Sequence, residues 1–160
     1  MSKISDPDFG ELQFDEIWTG QCEVALFGEV LEVELIVQTF DDDRISEDQR
    51  AAYREFESSK KAICQQVEQA VFDFYTANVE SYRECFDSEE VDVKAPIIDS
   101  IDGLRDLVTL INVKVMFAFE DGARQIGFVF DATFDPELGV GVLVTNGLVE
   151  AVETQDFLLG

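Results

Sequence analysis

Carboxylates are the side chains whose spacing suggests chemistry in this chain. Asp131, Asp135 and Glu137 stand close together in DATFDPELGVGV, and a run of three, Asp41-Asp42-Asp43, opens the fifth block of ten. Oxygen ligands at such spacing could hold a hard cation, and paired carboxylates are also the machinery of glycoside hydrolysis. Neither pattern is complete. A calcium loop alternates its ligands around a glycine and closes with glutamate, and Asp41 to Asp43 has neither feature. With 35 acidic residues in the chain, pairs of carboxylates arise by chance. Gly139 and Gly141 fall equally short of a phosphate cradle, because G-x-G-x-x-G needs a third glycine at 144, where valine stands, and a helix start beyond it. A metal-binding or enzymatic module built on Asp131, Asp135 and Glu137 therefore stands as the alternative reading.

What the chain lacks is more restrictive. It has no histidine, so Ser-His-Asp and Cys-His catalysis and imidazole metal ligation cannot be built. Cys22, Cys64 and Cys85 are odd in number and widely spaced, which reads as reduced, buried thiols. Neither a metal nor a cofactor is expected. The start, MSKISDPDFG, has no apolar signal stretch, and no run approaches membrane-spanning length; the expected location is the cytoplasm.

The charge balance, 11 basic against 35 acidic residues and a net −24, repels nucleic acid and anionic lipid and attracts cationic surfaces. It serves either solubility in a saline interior or a complementary partner, and composition alone does not choose between them.

The elements that would position these groups follow from periodicity. Residues 11–18 and 22–27 read as short strands and 31–40 as a longer one, whose Leu31, Val33, Leu35 and Val37 alternate with Glu32, Glu34 and Gln38. Leu12, Phe14 and Trp18 are core candidates. Phe27-Gly28 suits a tight hairpin turn. Ser46 with Gln49 three residues later has capping-box spacing, and Glu47 and Asp48 suit the positive end of a helix. The helix that follows carries a stripe of Phe56, Ile63, Val67, Ala70, Phe74 and Ala77, widened by Tyr53, Val71 and Tyr75. Unbroken to Tyr82 it would measure about 54 Å, against about 40 Å for a compact domain of this length. A break or end is expected near Asn78.

Residues 84–96 read as a solvated loop with an acidic centre, closed by Pro96. Asp99 or Ser100 can cap a short helix running to Leu107. A strand over 110–119 with Ile111, Val113, Val115, Phe117 and Phe119 on one face, a turn at Glu120-Asp121-Gly122, and a strand over 124–132 with Ile126, Phe128 and Phe130 together come next. Asn146-Gly147 is a strong hairpin signal joining 138–145 to 148–153. Residues 1–160 thus read as a single acidic α+β domain with a mainly antiparallel sheet, one long amphipathic helix and one short helix. Along 138–144, Gly139 and Gly141 share the face opposite Leu138, Val140, Val142 and Val144. They form a shallow trough that a helix or an aromatic ring can approach closely.

The stretch around those glycines resembles a group of uncharacterised bacterial domains with a C-terminal signature close to Trp-Asp-x-Glu-His-Gly-hydrophobic-Gly-Val, a valine-rich hairpin and a late Asp. The matching residues are Asp135, Glu137, Gly139, Gly141, Val142 and Asp156, and the upstream outline is similar over most of the chain. Phe134 stands where tryptophan is usual and Leu138 where histidine is usual, so no role that needs an imidazole carries over. Members of the group resemble immunity proteins encoded beside bacterial toxins. The resemblance therefore implies a non-enzymatic immunity (antitoxin) protein that binds and blocks a cognate, cationic toxin domain. Loops carry binding residues more often than core elements do. The expected contacts are Asp41, Asp42 and Asp43 with Glu89, Glu90 and Asp92.

Overall fold

The computed structural model describes residues 2–39, 44–116 and 123–158. They build an eight-stranded sheet whose strands lie in chain order: β1 (Ser2–Asp6), β2 (Gly10–Asp15), β3 (Ile17–Leu26), β4 (Glu29–Val37), β5 (Val108–Val115), β6 (Gln125–Ala132), β7 (Val140–Thr145) and β8 (Leu148–Glu153). Six of the seven pairings are antiparallel. The exception is β4–β5, which is parallel, with Leu35 opposite Val113. A parallel pair cannot be closed by a hairpin and needs a crossover. That crossover carries α1 (Glu47–Ser58), α2 (Lys60–Arg83), the short α3 (Val91–Lys94) and a 3-10 turn, Ile101–Leu104. The result is an α+β fold with a mostly antiparallel sheet backed by one long helix.

The predicted local signals at the hairpins and the first cap are present. Phe27 (φ 53°) and Gly28 (φ 81°) turn β3 into β4, and Asn146 (φ 52°) and Gly147 (φ 83°) turn β7 into β8. Ser46 accepts from the Gln49 backbone N–H while the Gln49 side chain accepts from the Ser46 N–H, a complete capping box.

Other expectations need correction. The strand expected over 11–18 is broken at Glu16, whose φ of 68° reverses the chain, so Trp18 and residues 22–26 belong to one longer strand. The long helix breaks at Ser59, not near Asn78. Ser59 leaves helical geometry (φ −118°, ψ 20°), and the Ser58 hydroxyl and the Ser59 N–H both donate to Glu55 O. The break lets α1 pack on β5 and β6 while α2 runs across β3, β7 and β8. Asn78 sits within α2, donating to Phe74 O at 2.7 Å. The buried stripe of α2 descends in steps of four, through Ile63, Val67, Val71 and Tyr75, with Cys64 beside it; Ala70 and Phe74 lie on its flank and Ala77 is exposed. The short helix expected to reach Leu107 is only the 3-10 turn, and Ser100 makes no side-chain cap there.

On β5 the register shifts between Leu110 and Asn112, a bulge that throws Ile111 outward, 40% exposed, and places Val108, Leu110, Val113 and Val115 on the core face. Phe117, Phe119 and the turn at 120–122 lie outside the described residues. The core lies between the helices and one face of the sheet. There Phe56 meets Phe128 edge-on at 5.8 Å, and Phe130, Val140, Val142 and Val144 are buried with them. Leu12 is buried; Phe14 and Trp18 are half-buried and pack on each other at 5.0 Å.

The opposite face of the sheet has a small cover of its own. A C-terminal 3-10 turn, Gln155–Leu158, lies over β6 and β7. A Cβ at Gly141 would meet Phe157 Cε1 at 2.8 Å and Leu158 Cδ1 at 3.0 Å, and one at Gly127 would meet Leu158 at 3.2 Å. The trough is therefore real at Gly141 and is filled by this turn. Gly139 differs from expectation: it precedes β7, has φ +59°, and a Cβ there would collide with both the Gln155 amide and Phe130 O. Left-handed backbone and close approach each favour glycine at that position. Lys114, buried on the same face, donates to Leu158 O at 2.8 Å.

Candidate protein-binding surface

Most of the basic residues are engaged in tying elements together. Arg50 of α1 grips Asp6 through two hydrogen bonds (2.7 and 2.8 Å) and reaches Asp8 at 3.0 Å, fixing the β1–β2 hairpin to the helix. Arg54 joins Asp8 and Glu47, and Arg124 joins Glu55 of α1. Lys60 reaches Glu57 and Glu23 O. Arg105 donates to Phe27 O, and Arg83 to Ala95 O and Asp92. The surface is acidic because 35 carboxylates outnumber 11 basic residues, of which Lys3, Arg44 and Lys61 also stand exposed. Glu23 and Glu32 are direct cross-strand neighbours on the exposed face of β3 and β4, with Glu34 opposite Gln21. Like charges directly opposed destabilise a sheet. This row was missed as a site, although the alternation of Glu32 and Glu34 in the sequence marks its wet face.

The expected contact residues fall into two groups. Asp41, Asp42 and Asp43 lie outside the described residues. Glu89, Glu90 and Asp92 lie together around the start of α3, all exposed. Asp87 initiates that turn, its Oδ1 accepting from the Glu89 and Glu90 N–H groups at 3.0 Å each. Asp92 is not a free contact, because it pairs with Arg83 at 3.0 Å.

The segment beyond α3 is held from three directions. Lys94 O accepts from the Thr133 hydroxyl (2.9 Å), Ala95 O from Arg83 (2.8 Å) and Pro96 O from the Tyr75 hydroxyl (2.6 Å). Three successive carbonyls are thus fixed by side chains of α2 and of the turn after β6. The next residue of that turn, Phe134, is buried between Tyr75 (4.6 Å between ring centroids) and Tyr82 (4.7 Å). Burial pushes both tyrosine hydroxyls up to about 12, and Asp135 adds to the effect on Tyr82. The signature stretch and the acidic loop therefore meet at the C-terminal end of α2, and Phe134 supplies the packing.

The carboxylate trio does not form a cation site. Asp135 Oδ1 accepts from the Leu138 N–H (3.2 Å) and Asp135 O from the Gly139 N–H (2.8 Å), which is turn chemistry. Asp131 takes the Gln155 amide at 3.1 Å, and Glu137 is exposed. Among the described residues no three His, Cys, Asp or Glu side chains are placed to hold a metal. Asp156, the late Asp of the signature, accepts from the Thr154 hydroxyl within the C-terminal turn.

The thiols are split. Cys22 and Cys64 are buried, whereas Cys85 is exposed, contrary to expectation. A cavity of about 560 Å³ between α2 and the β3–β4 hairpin is lined by Lys60, Lys61, Cys64 and Glu68. Burial pushes the Cys64 thiol up to about 11, so it is protonated at neutral pH, and Glu68 is engaged with the Phe27 N–H.

Fold and surface together define an acidic α+β protein with a helix-backed, mostly antiparallel sheet and a fixed carboxylate-rich loop. The profile of a domain of unknown function, DUF6985, matches residues 8–159, and the chain belongs to that family. No curated protein and no solved structure matches it. No helix among the described residues is long and apolar enough to cross a membrane.

Proposed function

We propose that this chain is a cytoplasmic immunity protein that binds and blocks a cognate, basic bacterial toxin domain by occupancy rather than by catalysis. The observation that supports the reading most is the partition of charge: Arg50, Arg83, Arg105 and Arg124 are tied to groups of the fold itself, while Glu89, Glu90 and the row on β3 and β4 face outward. A protein of net −24 with that partition accelerates encounter with a cationic surface. Complementary charge raises association from about 10⁵–10⁶ to 10⁸–10⁹ M⁻¹s⁻¹ at low salt. The fixed segment 94–96 adds a surface that does not have to be ordered on binding. The test is co-expression with the protein encoded immediately beside this chain's gene. A basic neighbour that co-purifies in a defined complex, and whose toxicity is relieved by this chain, is the expected result. A neighbour that neither binds nor is neutralised overturns the reading.

A further inference from the structure

The acidic loop contains side chains that charge alone does not explain. Val93 and Ile97 are 69% and 64% exposed, on either side of the three carbonyls held by Thr133, Arg83 and Tyr75. An exposed branched apolar side chain on a mobile loop would be unremarkable, but these two are presented on backbone fixed from the core. A stable interface places apolar side chains at its centre and polar groups at its rim. Here Val93 and Ile97 have the exposed Glu89 and Glu90 close by in the chain, while Asp92 is paired with Arg83.

The geometry points to Val93 and Ile97 as the apolar anchors of a preformed docking patch for a basic protein. The inference rests on the immunity reading and deepens it by naming which end of the molecule meets the partner. Charge selects the occupant: a second copy would set the same carboxylates against each other, whereas a cationic rim around an apolar pocket complements both parts of the patch. The two parts then act on different rates. Rim carboxylates govern encounter, and buried anchors govern residence.

The experiment uses the full chain and, as probe, the purified protein encoded beside its gene, with surface-binding kinetics at about 50 and 500 mM salt. The double variant Val93→Ser/Ile97→Ser should dissociate about tenfold faster or more at both salts with association little changed. The double variant Glu89→Gln/Glu90→Gln should associate more slowly at the lower salt with dissociation little changed. Both pairs of residues are exposed, and circular dichroism is expected to show parental folding for each variant. A photo-crosslinking residue placed at position 97 should label the probe protein. Parental dissociation by the folded Val93→Ser/Ile97→Ser chain, or crosslinks only to a second copy of this chain, overturns the inference while the immunity reading stands if the parent binds. Failure of the parent chain to bind the probe overturns both.

Discussion

Replacing Asp6 by asparagine should destabilise the fold in a way that depends on pH. The Asp6 side chain is 3% exposed and holds the turn between β1 and β2: Oδ1 accepts from the Asp8 and Phe9 N–H groups, and both oxygens accept from Arg50. The Arg50 hydrogen bonds are the main cause holding this carboxyl at about 2 instead of its ordinary 3.8, with the backbone donors adding to them and burial opposing. At about 1.36 kcal/mol per pH unit, this displacement corresponds to roughly 2 kcal/mol of stability. Because the folded value is depressed, that contribution is complete above the unfolded value and is lost as pH falls from about 4 towards 2. Asp6→Asn should therefore cost about 2 kcal/mol at pH 7, or roughly 4–8 °C in Tm for a chain of this length. The assay is urea unfolding of parent and variant from pH 7 down to about 2.5. Comparing the two chains cancels the general relief of acidic repulsion on protonation. Their stabilities should converge as the parent carboxyl titrates. Equal stability at pH 7, or a gap that does not narrow with acid, would show that Arg50 and the turn donors do not hold this carboxyl ionised.

Gly141→Val should force the C-terminal turn to move, since its Cβ alone would lie 2.8 Å from Phe157, and should cost about 1–3 kcal/mol in chemical denaturation; a parental melt would mean the turn is not seated. Burial lowers the Lys114 pKa below its ordinary 10.5. Below its ordinary value the unfolded chain then binds this proton more tightly than the folded chain, so Lys114's own contribution grows with pH. Because Tyr75, Tyr82 and Cys64 act oppositely in the alkaline range, it is read as a rise with pH in the stability of the parent relative to Lys114→Met, in pH-dependent melts. Phe134→Ala should open a cavity between Tyr75 and Tyr82, cost about 3–5 kcal/mol in denaturant melts and loosen the loop at 94–96, which amide exchange would register as lost protection.

Much of the fold is legible in local patterns. Ser46 with Gln49, Phe27-Gly28 and Asn146-Gly147 each act within a few residues, and the alternation of Leu31 to Val37 needs only a wet face and a dry one. The features that escaped depend on distant partners. Ser59 is no stronger a helix breaker than Ser58; the break falls there because α1 and α2 must cover different strands. The parallel pairing of β4 with β5 and the bulge at Ile111 are likewise set across the crossover. At the candidate site, Glu89, Glu90 and Asp92 were readable as a charged run. Their setting was not, because Thr133 and Lys94 lie 39 residues apart and Tyr75 and Pro96 lie 21 apart. The available signal was the alternation of charged and apolar residues in EEVDVKAPII, which exposes Val93 and Ile97 beside the acids.

If the outward carboxylates of this chain serve a cationic protein partner, as proposed, they must steer its encounter. The most direct measurement is the association rate of the purified chain with the protein encoded beside its gene, followed by stopped flow between about 50 and 500 mM salt, where the screening length contracts below about 10 Å. Rapid association at low salt that falls steeply as salt rises, and slower, flatter behaviour once Glu89 and Glu90 are neutralised, is the expected result. Association that is absent, or that shows no dependence on salt, contradicts it.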